Sequence, residues 1–204
     1  ELINSNEEDT IKNQKKWINY ISFQTERMSN LVNNLLYLAK ADNNEVLGVI
    51  SKFNLSDAIM SQLLSFEAIM YENNLMLDSD IQNDIEFTGD KESINQVIGI
   101  LMDNAIKHSY EKSSINVELK ERKQKILLSV TNKGDTIPKE DIDKIFDRFY
   151  RVDKARSRDV GGTGLGLAIT KHIVKSLNGC IKVKSELGIG SEFIVTILQK
   201  NFLK

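Results

Sequence analysis

Cysteine occurs once in the 204 residues, at Cys180. A lone thiol cannot build an internal disulfide framework, and it fits a reducing compartment. Proline also occurs once, at Pro138, so long stretches carry no helix breaker. Neither sign of charge dominates: 27 Lys+Arg stand against 29 Asp+Glu, a net charge of -2. That balance excludes a general nucleic-acid coat, which needs a basic surface to displace counterions. No apolar run approaches the roughly 20 residues needed to span a bilayer. No secretory leader is visible, because the opening stretch is acidic and starts at Glu1 instead of Met. The expectation is a fragment of a longer protein, with any membrane anchor of the parent outside it and no membrane contact of its own. What is present is the composition of a folded chain, 41% hydrophobic, long enough for a core and for one or two domains.

Residues 11–42 contain neither Gly nor Pro. Apolar residues recur there at Trp17/Ile18, Ile21, Met28, Leu31/Val32, Leu35 and Leu38, close to heptad spacing. The spacing predicts one long amphipathic helix with a seam for a partner helix, interrupted at Gln24. Residues 1–9 read as the tail of a preceding helix plus a turn. Composition changes after Asp42-Asn43-Asn44, and the remainder reads as a compact α/β domain. A strand is expected over 46–53, then a helix over 55–71 capped by Asn54 or Ser56. Short strands are expected over 75–80 and 85–87. Asp90 can cap a helix running to Lys107. Strands over 114–120 and 126–131 alternate and pair through a turn near Lys123. Pro138 opens a short helix over 139–146. A helix over 165–177 ends at Asn178-Gly179, and strands over 181–185 and 192–198 close the chain as a hairpin around Gly188-Ile189-Gly190. Interspersed rather than strictly alternating elements predict a mixed sheet.

Four segments carry chemistry. On the helix ending at Lys107, Ile94, Val97/Ile98, Leu101 and Ala105 form a core stripe, and Asn104, Lys107 and His108 fall beside it with Ile100 a turn earlier. This is either a solvated helix edge or a polar site: an Asn oxygen can hold a hard metal ion, Lys can neutralise phosphate, and an imidazole can stack on a flat base. Next comes Asn132-Lys133-Gly134-Asp135-Thr136-Ile137-Pro138, which read alone is a turn between a strand and a helix. The run Gly161-Gly162-Thr163-Gly164-Leu165-Gly166 opens a helix, where backbone N–H groups and the helix dipole can meet an anion. No Gly-Lys-Ser/Thr follows, so it is not a Walker loop. Before it stand Arg148, Arg151, Lys154, Arg156 and Arg158, with Phe146, Phe149 and Tyr150 among them. A solvated loop, a nucleic-acid surface and a mobile lid over a polyphosphate all fit this stretch. Cations placed immediately before a glycine-rich helix start favour phosphate over nucleic acid.

Taken in order, these segments resemble the sequence boxes of sensor histidine kinases. Asn104-Ala105-Ile106-Lys107-His108 looks like the N box, the Asn132 to Pro138 run like the G1 box, Ile145-Phe146-Asp147-Arg148-Phe149-Tyr150-Arg151 like the F box, and Gly162-Thr163-Gly164-Leu165-Gly166-Leu167-Ala168-Ile169 like the G2 box. The stretch from Glu26-Arg27-Met28 to Leu38-Ala39-Lys40-Ala41-Asp42 is similar to the end of that family's second dimerisation helix. The resemblance implies an ATP-binding two-layer α/β sandwich of the Bergerat type, with helices on one face of a mixed sheet. It divides the chain into a partial dimerisation hairpin over 1–42 and an ATP-binding catalytic domain over 43–204. By that match Asn104 ligates Mg²⁺, Lys107 reaches the phosphates, and His108 stands where an aromatic packs on adenine. Asn132 stands where the adenine amino group is read, and Gly134, Ile137 and Phe149 are among the nucleotide-binding residues. Arg151 and Arg156 are lid cations on the terminal phosphates, and Gly162, Thr163, Gly164, Leu165 and Gly166 supply the phosphate-side backbone.

The chain departs from the pattern. The G1 box usually carries Asp where this chain has Asn132, which can accept the adenine amino hydrogen only without charge assistance. Its second glycine is replaced by Thr136. Ile100 stands where kinases commonly carry Asn and the ATP-hydrolysing relatives carry a Glu base, and Ile cannot activate water. Only His108 and His172 are present, and neither lies in a phosphoacceptor box. The resemblance therefore implies transfer of the ATP γ-phosphoryl group to a histidine outside this chain, for relay to a response regulator. A second kinase subunit would pair through the dimerisation helices, in the cytoplasmic portion of a membrane-anchored sensor. Two other readings stay open: a degenerate nucleotide-binding regulatory module, and an anti-sigma-type protein serine kinase, which the helix over 11–42 opposes.

Overall fold

The structure, a computed structural model, describes residues 11–42, 48–152 and 163–199. The first helix, α1, spans Ile11–Asp42. Its seam resolves into two stripes. Gln24, Arg27, Leu31, Asn34 and Tyr37 are half-buried and Leu38 is buried, at steps of three and four residues that keep them on one side. Trp17, Ile21, Met28, Val32 and Leu35 form an adjacent stripe that stays exposed. Gln24, the interruption in the apolar spacing, belongs to the side turned toward the rest of the chain.

The remaining elements are β1 (Ile50–Asn54), α2 (Leu55–Leu64), α3 (Glu67–Glu72), β2 (Met76–Ile81), β3 (Glu86–Asp90), α4 (Lys91–Lys107), β4 (Ser114–Arg122), β5 (Lys125–Asn132), α5 (Gly166–Ser176), β6 (Cys180–Glu186) and β7 (Gly190–Leu198). The main sheet has the order β2-β4-β5-β7-β6, and β1 and β3 form a small sheet of their own. The β2–β4 pair is parallel and the other ladders are antiparallel, which gives the expected mixed sheet. Period-two alternation buries Ile115, Val117 and Leu119 of β4, Ile126, Leu128 and Val130 of β5, and Phe193, Val195 and Ile197 of β7. These side chains meet α2, α4 and α5 on one face of the sheet, so the architecture is two-layered. A small void there, lined by Leu55, Ile59, Val97, Leu119 and Val174 among others, is wholly apolar and unconnected with the polar residues described below.

Two expected helices differ. The helix over 55–71 is broken between α2 and α3, because the Ser65 hydroxyl donates to the Gln62 carbonyl at 2.6 Å and the backbone turns there. Such local side-chain bonding competes with the helix ladder. Over 139–146 the chain makes turns and a short 3₁₀ helix, Lys144–Phe146, in place of an α-helix. The segment is too short to nucleate a stable helix alone, and the Tyr150 hydroxyl anchors it by donating to Asp141 Oδ1 at 2.6 Å. Leu101, fully buried on α4, lies at the centre of the core. Leu101→Ala is expected to lower unfolding free energy by about 3 kcal/mol, measured by urea denaturation.

Candidate nucleotide site

The site is built on α4. Asp90 caps this helix, accepting from Glu92 N at 3.3 Å and Ser93 N at 3.2 Å, so its first-turn donors are satisfied by the protein itself. Ile94, Val97, Ile98, Leu101, Met102 and Ala105 are buried. Their stripe fixes the helix phase and leaves Ile100, Asn104, Lys107 and His108 along one flank. The Asn104 side-chain amide makes no hydrogen bond to any described residue. The Lys107 ammonium is paired with Asp103 one turn earlier. This is an exposed i,i+4 pair, worth roughly 0.3–0.5 kcal/mol, which a phosphate can displace.

At the end of α4 the chain meets β5. Alternation carries Asn132 onto the same core-facing side as Ile126, Leu128 and Val130, and it is only 3% exposed. Its Nδ2 donates to the His108 carbonyl oxygen at 3.2 Å, while no described residue donates to its Oδ1. A buried acceptor without a partner is costly, so a donor at this point is favoured. Gly134 follows in a bridge with Ser109. A Cβ at Gly134 would lie 1.7 Å from the His108 carbonyl oxygen, so only glycine lets the turn close on the helix end. The Tyr110 hydroxyl donates to Asp135 Oδ1 at 3.0 Å, and Ile137 N donates to Ser185 Oγ at 2.9 Å, which fixes the rest of the turn.

The third wall is the start of α5. Unlike α4, this helix has no side-chain cap; Leu165 stands at its N-cap position. The Leu165 side chain is fully buried in the core, so only its backbone can face a ligand. The open N–H groups and the helix dipole suit an anion. Phe149 N donates to the Gly164 carbonyl at 2.9 Å, and Gly164, at φ +70, packs so closely that a Cβ would come 2.8 Å from the Phe149 carbonyl carbon. A Cβ on Gly166 would sit 2.9 Å from Ile100 Cγ2, so α5 starts directly beside the α4 flank. The structure thus brings together Asn104, Lys107, His108, Asn132, Gly134, Phe149, Gly164, Leu165 and Gly166, with Arg151 near His108 in charge range. Thr163 is half-buried beside Gly164. Arg156 and Gly162, with Lys154, Arg158 and Gly161, lie outside the described residues. The Lys107–Asp103 pair was not anticipated, although its i,i+4 spacing signals it.

His108 keeps a surface edge, yet crowding by neighbouring atoms lowers its pKa from the ordinary 6.5. Burial is the main cause; Lys107 adds to it, Asp135 opposes it, and Arg151 and Asp103 follow with opposite signs. A neutral imidazole offers a flat ring without a like charge beside the lysine.

A mixed sheet backed by helices thus carries a polar helix flank, a glycine turn and a helix start without a side-chain cap at one edge. The comparison with protein families gives the class to which this arrangement belongs. The family described as histidine kinase-, DNA gyrase B- and HSP90-like ATPase matches residues 89–201, and the chain belongs to it. Within that family the likeness is to histidine kinases. The chain is 36% identical over 171 residues to the signal transduction histidine-protein kinase ArlS of Staphylococcus aureus strain USA300, covering 83% of this chain and 38% of ArlS. It therefore spans well under half of that relative. The Acinetobacter baumannii histidine kinase AdeS superposes with TM-score 0.77 at 26% identity, over 90% of this chain and 84% of that one. Histidine kinase ThkA, in its structure with the response regulator protein TrrA, superposes with TM-score 0.76 at 28% identity, over 94% of this chain and 53% of that one.

The lowered His108 value has a sign that can be checked. Folding disfavours the protonated ring, so the associated stability is complete above pH 6.5 and is lost as pH falls below the unfolded value. A histidine NMR titration is expected to place the His108 midpoint below 6.5, and His108→Gln is expected to remove that part of the acid-side loss.

Proposed function

We propose that this chain is the ATP-binding catalytic part of a two-component sensor histidine kinase, joined to the second of two dimerisation helices. In this reading 1–42 belongs to the dimerisation hairpin and 43–204 is the catalytic domain. The γ-phosphoryl group of ATP passes to a histidine on a helix outside this chain, and from there to a response regulator. The observation that carries it is the facing of Asn104, whose amide no described residue engages, and the uncapped glycine start of α5, with the open acceptor of Asn132 between strand end and helix end.

Each residue has a physical role. Asn132 Oδ1 accepts from the adenine amino group while its Nδ2 keeps the bond to His108. The neutral His108 ring packs on the base, with Gly134, Ile137 and Phe149 bordering it. The α5 start, through Thr163, Gly164, Leu165 and Gly166 and with Gly162 before them, holds phosphate oxygens by backbone N–H groups. Lys107 exchanges Asp103 for phosphate. Arg151 and Arg156 neutralise the terminal phosphate. The residues present fit a magnesium ion held mainly by substrate phosphates and water: the Asn104 side-chain amide is engaged by no described residue, so its oxygen is open to a hard cation. When bound, the ion neutralises phosphate charge and orients the leaving group.

Ile100 packs on Gly166 and presents no base to water, which supports holding ATP for transfer over hydrolysing it. Neither histidine fits the acceptor: His108 adjoins the base site, and His172 packs edge-on against Tyr37, ring centroids 6.4 Å apart. Partners in this reading are a response regulator and a second subunit through the exposed stripe of α1. No described helix is long and apolar enough to cross a membrane, which accords with a cytoplasmic portion of a membrane-anchored parent.

Asn104→Ala is expected to reduce Mg·ATP binding below detection in calorimetry while circular dichroism stays native; unchanged affinity removes the metal-ligand role. Arg151→Ala is expected to weaken ATP about tenfold and ADP much less, because only ATP carries the third phosphate. Restoring the upstream phosphoacceptor helix in trans and following transfer of the γ-phosphate tests the reaction itself.

A further inference from the structure

Phe149 is a bulky residue held at φ 63, a left-handed backbone conformation that its Cβ disfavours. It is the third residue of the turn Asp147–Tyr150, which Tyr150 N closes by donating to the Asp147 carbonyl at 3.2 Å. Glycine is the residue that such a position favours. A bulky side chain persists there only where its surroundings fix the backbone, and such outliers gather at functional sites. On one side the surroundings are α5: Phe149 N donates to the Gly164 carbonyl at 2.9 Å, and a Cβ on Gly164 would lie 3.0 Å from the Tyr150 carbonyl oxygen. On the other side is the Tyr150 side chain. Its ring packs on the core, and its hydroxyl donates to Asp141 Oδ1 at 2.6 Å.

Asp141 belongs to the opposite wall of the site. Its N–H donates to the Pro138 carbonyl at 2.9 Å, and Pro138 follows Ile137, the residue bonded to Ser185 Oγ. The Asp141 carbonyl accepts from Ile145 N at 2.9 Å, which starts the 3₁₀ helix, and that helix leans on α5 with the Lys171 ammonium 5.6 Å from the Phe146 ring centroid. The Tyr150–Asp141 bond thus lies on a path of contacts from the turn after Asn132 to the glycine start of α5. The Asp141 side chain is only 14% exposed, with Lys144 Nζ 3.4 Å from the same oxygen. A carboxylate so far withdrawn from water needs its donors, and a phenol bonded to it makes a charge-assisted bond. That bond pushes the Tyr150 phenol up to about 12, so the hydroxyl keeps the proton it donates.

We propose that Tyr150 is a positioning residue for the nucleotide: its hydrogen bond to Asp141 is the strut that holds the glycine start of α5 at a fixed separation from the turn that receives the base. The proposal rests on the nucleotide reading above and adds to it a residue that acts only through Asp141 and Phe149. Adenine and phosphates belong to one molecule, so walls held at the matching separation favour a ligand that spans both. Loss of the bond leaves each wall built as before and lets their separation vary. A ligand that needs both walls then loses affinity, and a ligand that needs only the base wall keeps it.

The test uses the whole 204-residue chain, with Mg·ATP, Mg·ADP and adenosine titrated by calorimetry. Tyr150→Phe keeps the ring and removes only the hydroxyl; it is expected to weaken ATP and ADP alike by about fivefold and to leave adenosine within about twofold. Asp141→Ala is expected to show the same split. Asp141→Asn is expected to recover most of that loss, because its amide oxygen still accepts from the phenol. Tyr150→Phe and Asp141→Ala combined are expected to lose no more than the larger single loss, because both break one bond. If Tyr150→Phe does not fold, the two Asp141 variants carry the same comparison from the other end of the bond. ATP affinity unchanged by these variants, or adenosine weakened as much as ATP, overturns the proposal while the nucleotide site stands. Single losses that multiply in the double variant overturn the shared strut. Failure of the unaltered chain to bind ATP removes the underlying site, and the proposal with it.

Discussion

The closure of the β5 turn onto the end of α4 is the constraint from which the rest of the site follows. The His108 carbonyl occupies the volume that any side chain at position 134 would need. Because glycine leaves it open, Asn132 can hold that carbonyl from below and Ser109 can bridge to the turn. Strand end and helix end become one rigid corner. The flank of α4 is thereby fixed relative to the sheet, and a buried amide is left with one end bonded and the other open. Rigid support of this kind is what allows a short list of polar groups to discriminate a ligand.

The two helices that border the corner begin in opposite ways. Asp90 satisfies the first turn of α4 with a carboxylate that also accepts from the Ser93 hydroxyl, so this end is electrostatically complete. The start of α5 carries glycines and an apolar residue buried in the core, and no side chain caps it among the described residues. The contact of Ile100 with Gly166 sets the distance between the flank and the open end. A larger residue at 166 would separate them.

Much of this was legible in the residues. The stripe of Ile94, Val97, Ile98, Leu101 and Ala105 dictated which side of α4 is polar, and alternation through Ile126, Leu128 and Val130 carried Asn132 inward. Both are local periodicities, and both hold. What escaped was set by contacts distant in sequence or by single side-chain bonds. Ser65 breaks a helix that its neighbours would continue. The turn over 139–143 is held by Tyr150, and His172 meets Tyr37 across the chain. In α1 the apolar spacing merged two stripes into one, because residues a quarter-turn apart look continuous along a sequence. Gln24, a polar residue within the apolar spacing, was the sign that the two stripes differ.

Those two stripes have a mechanical consequence. Successive residues on a helix are about 100° apart, which is close to the angle between the docked side of α1 and its exposed apolar side. A twist of α1 by a single residue's step would therefore carry Leu31 and Tyr37 off the core and bring the stripe of Met28, Val32 and Leu35 toward it in their place. Because the two stripes lie on different sides of the helix, α1 can dock on the α/β domain while its exposed apolar side stays open to another helix.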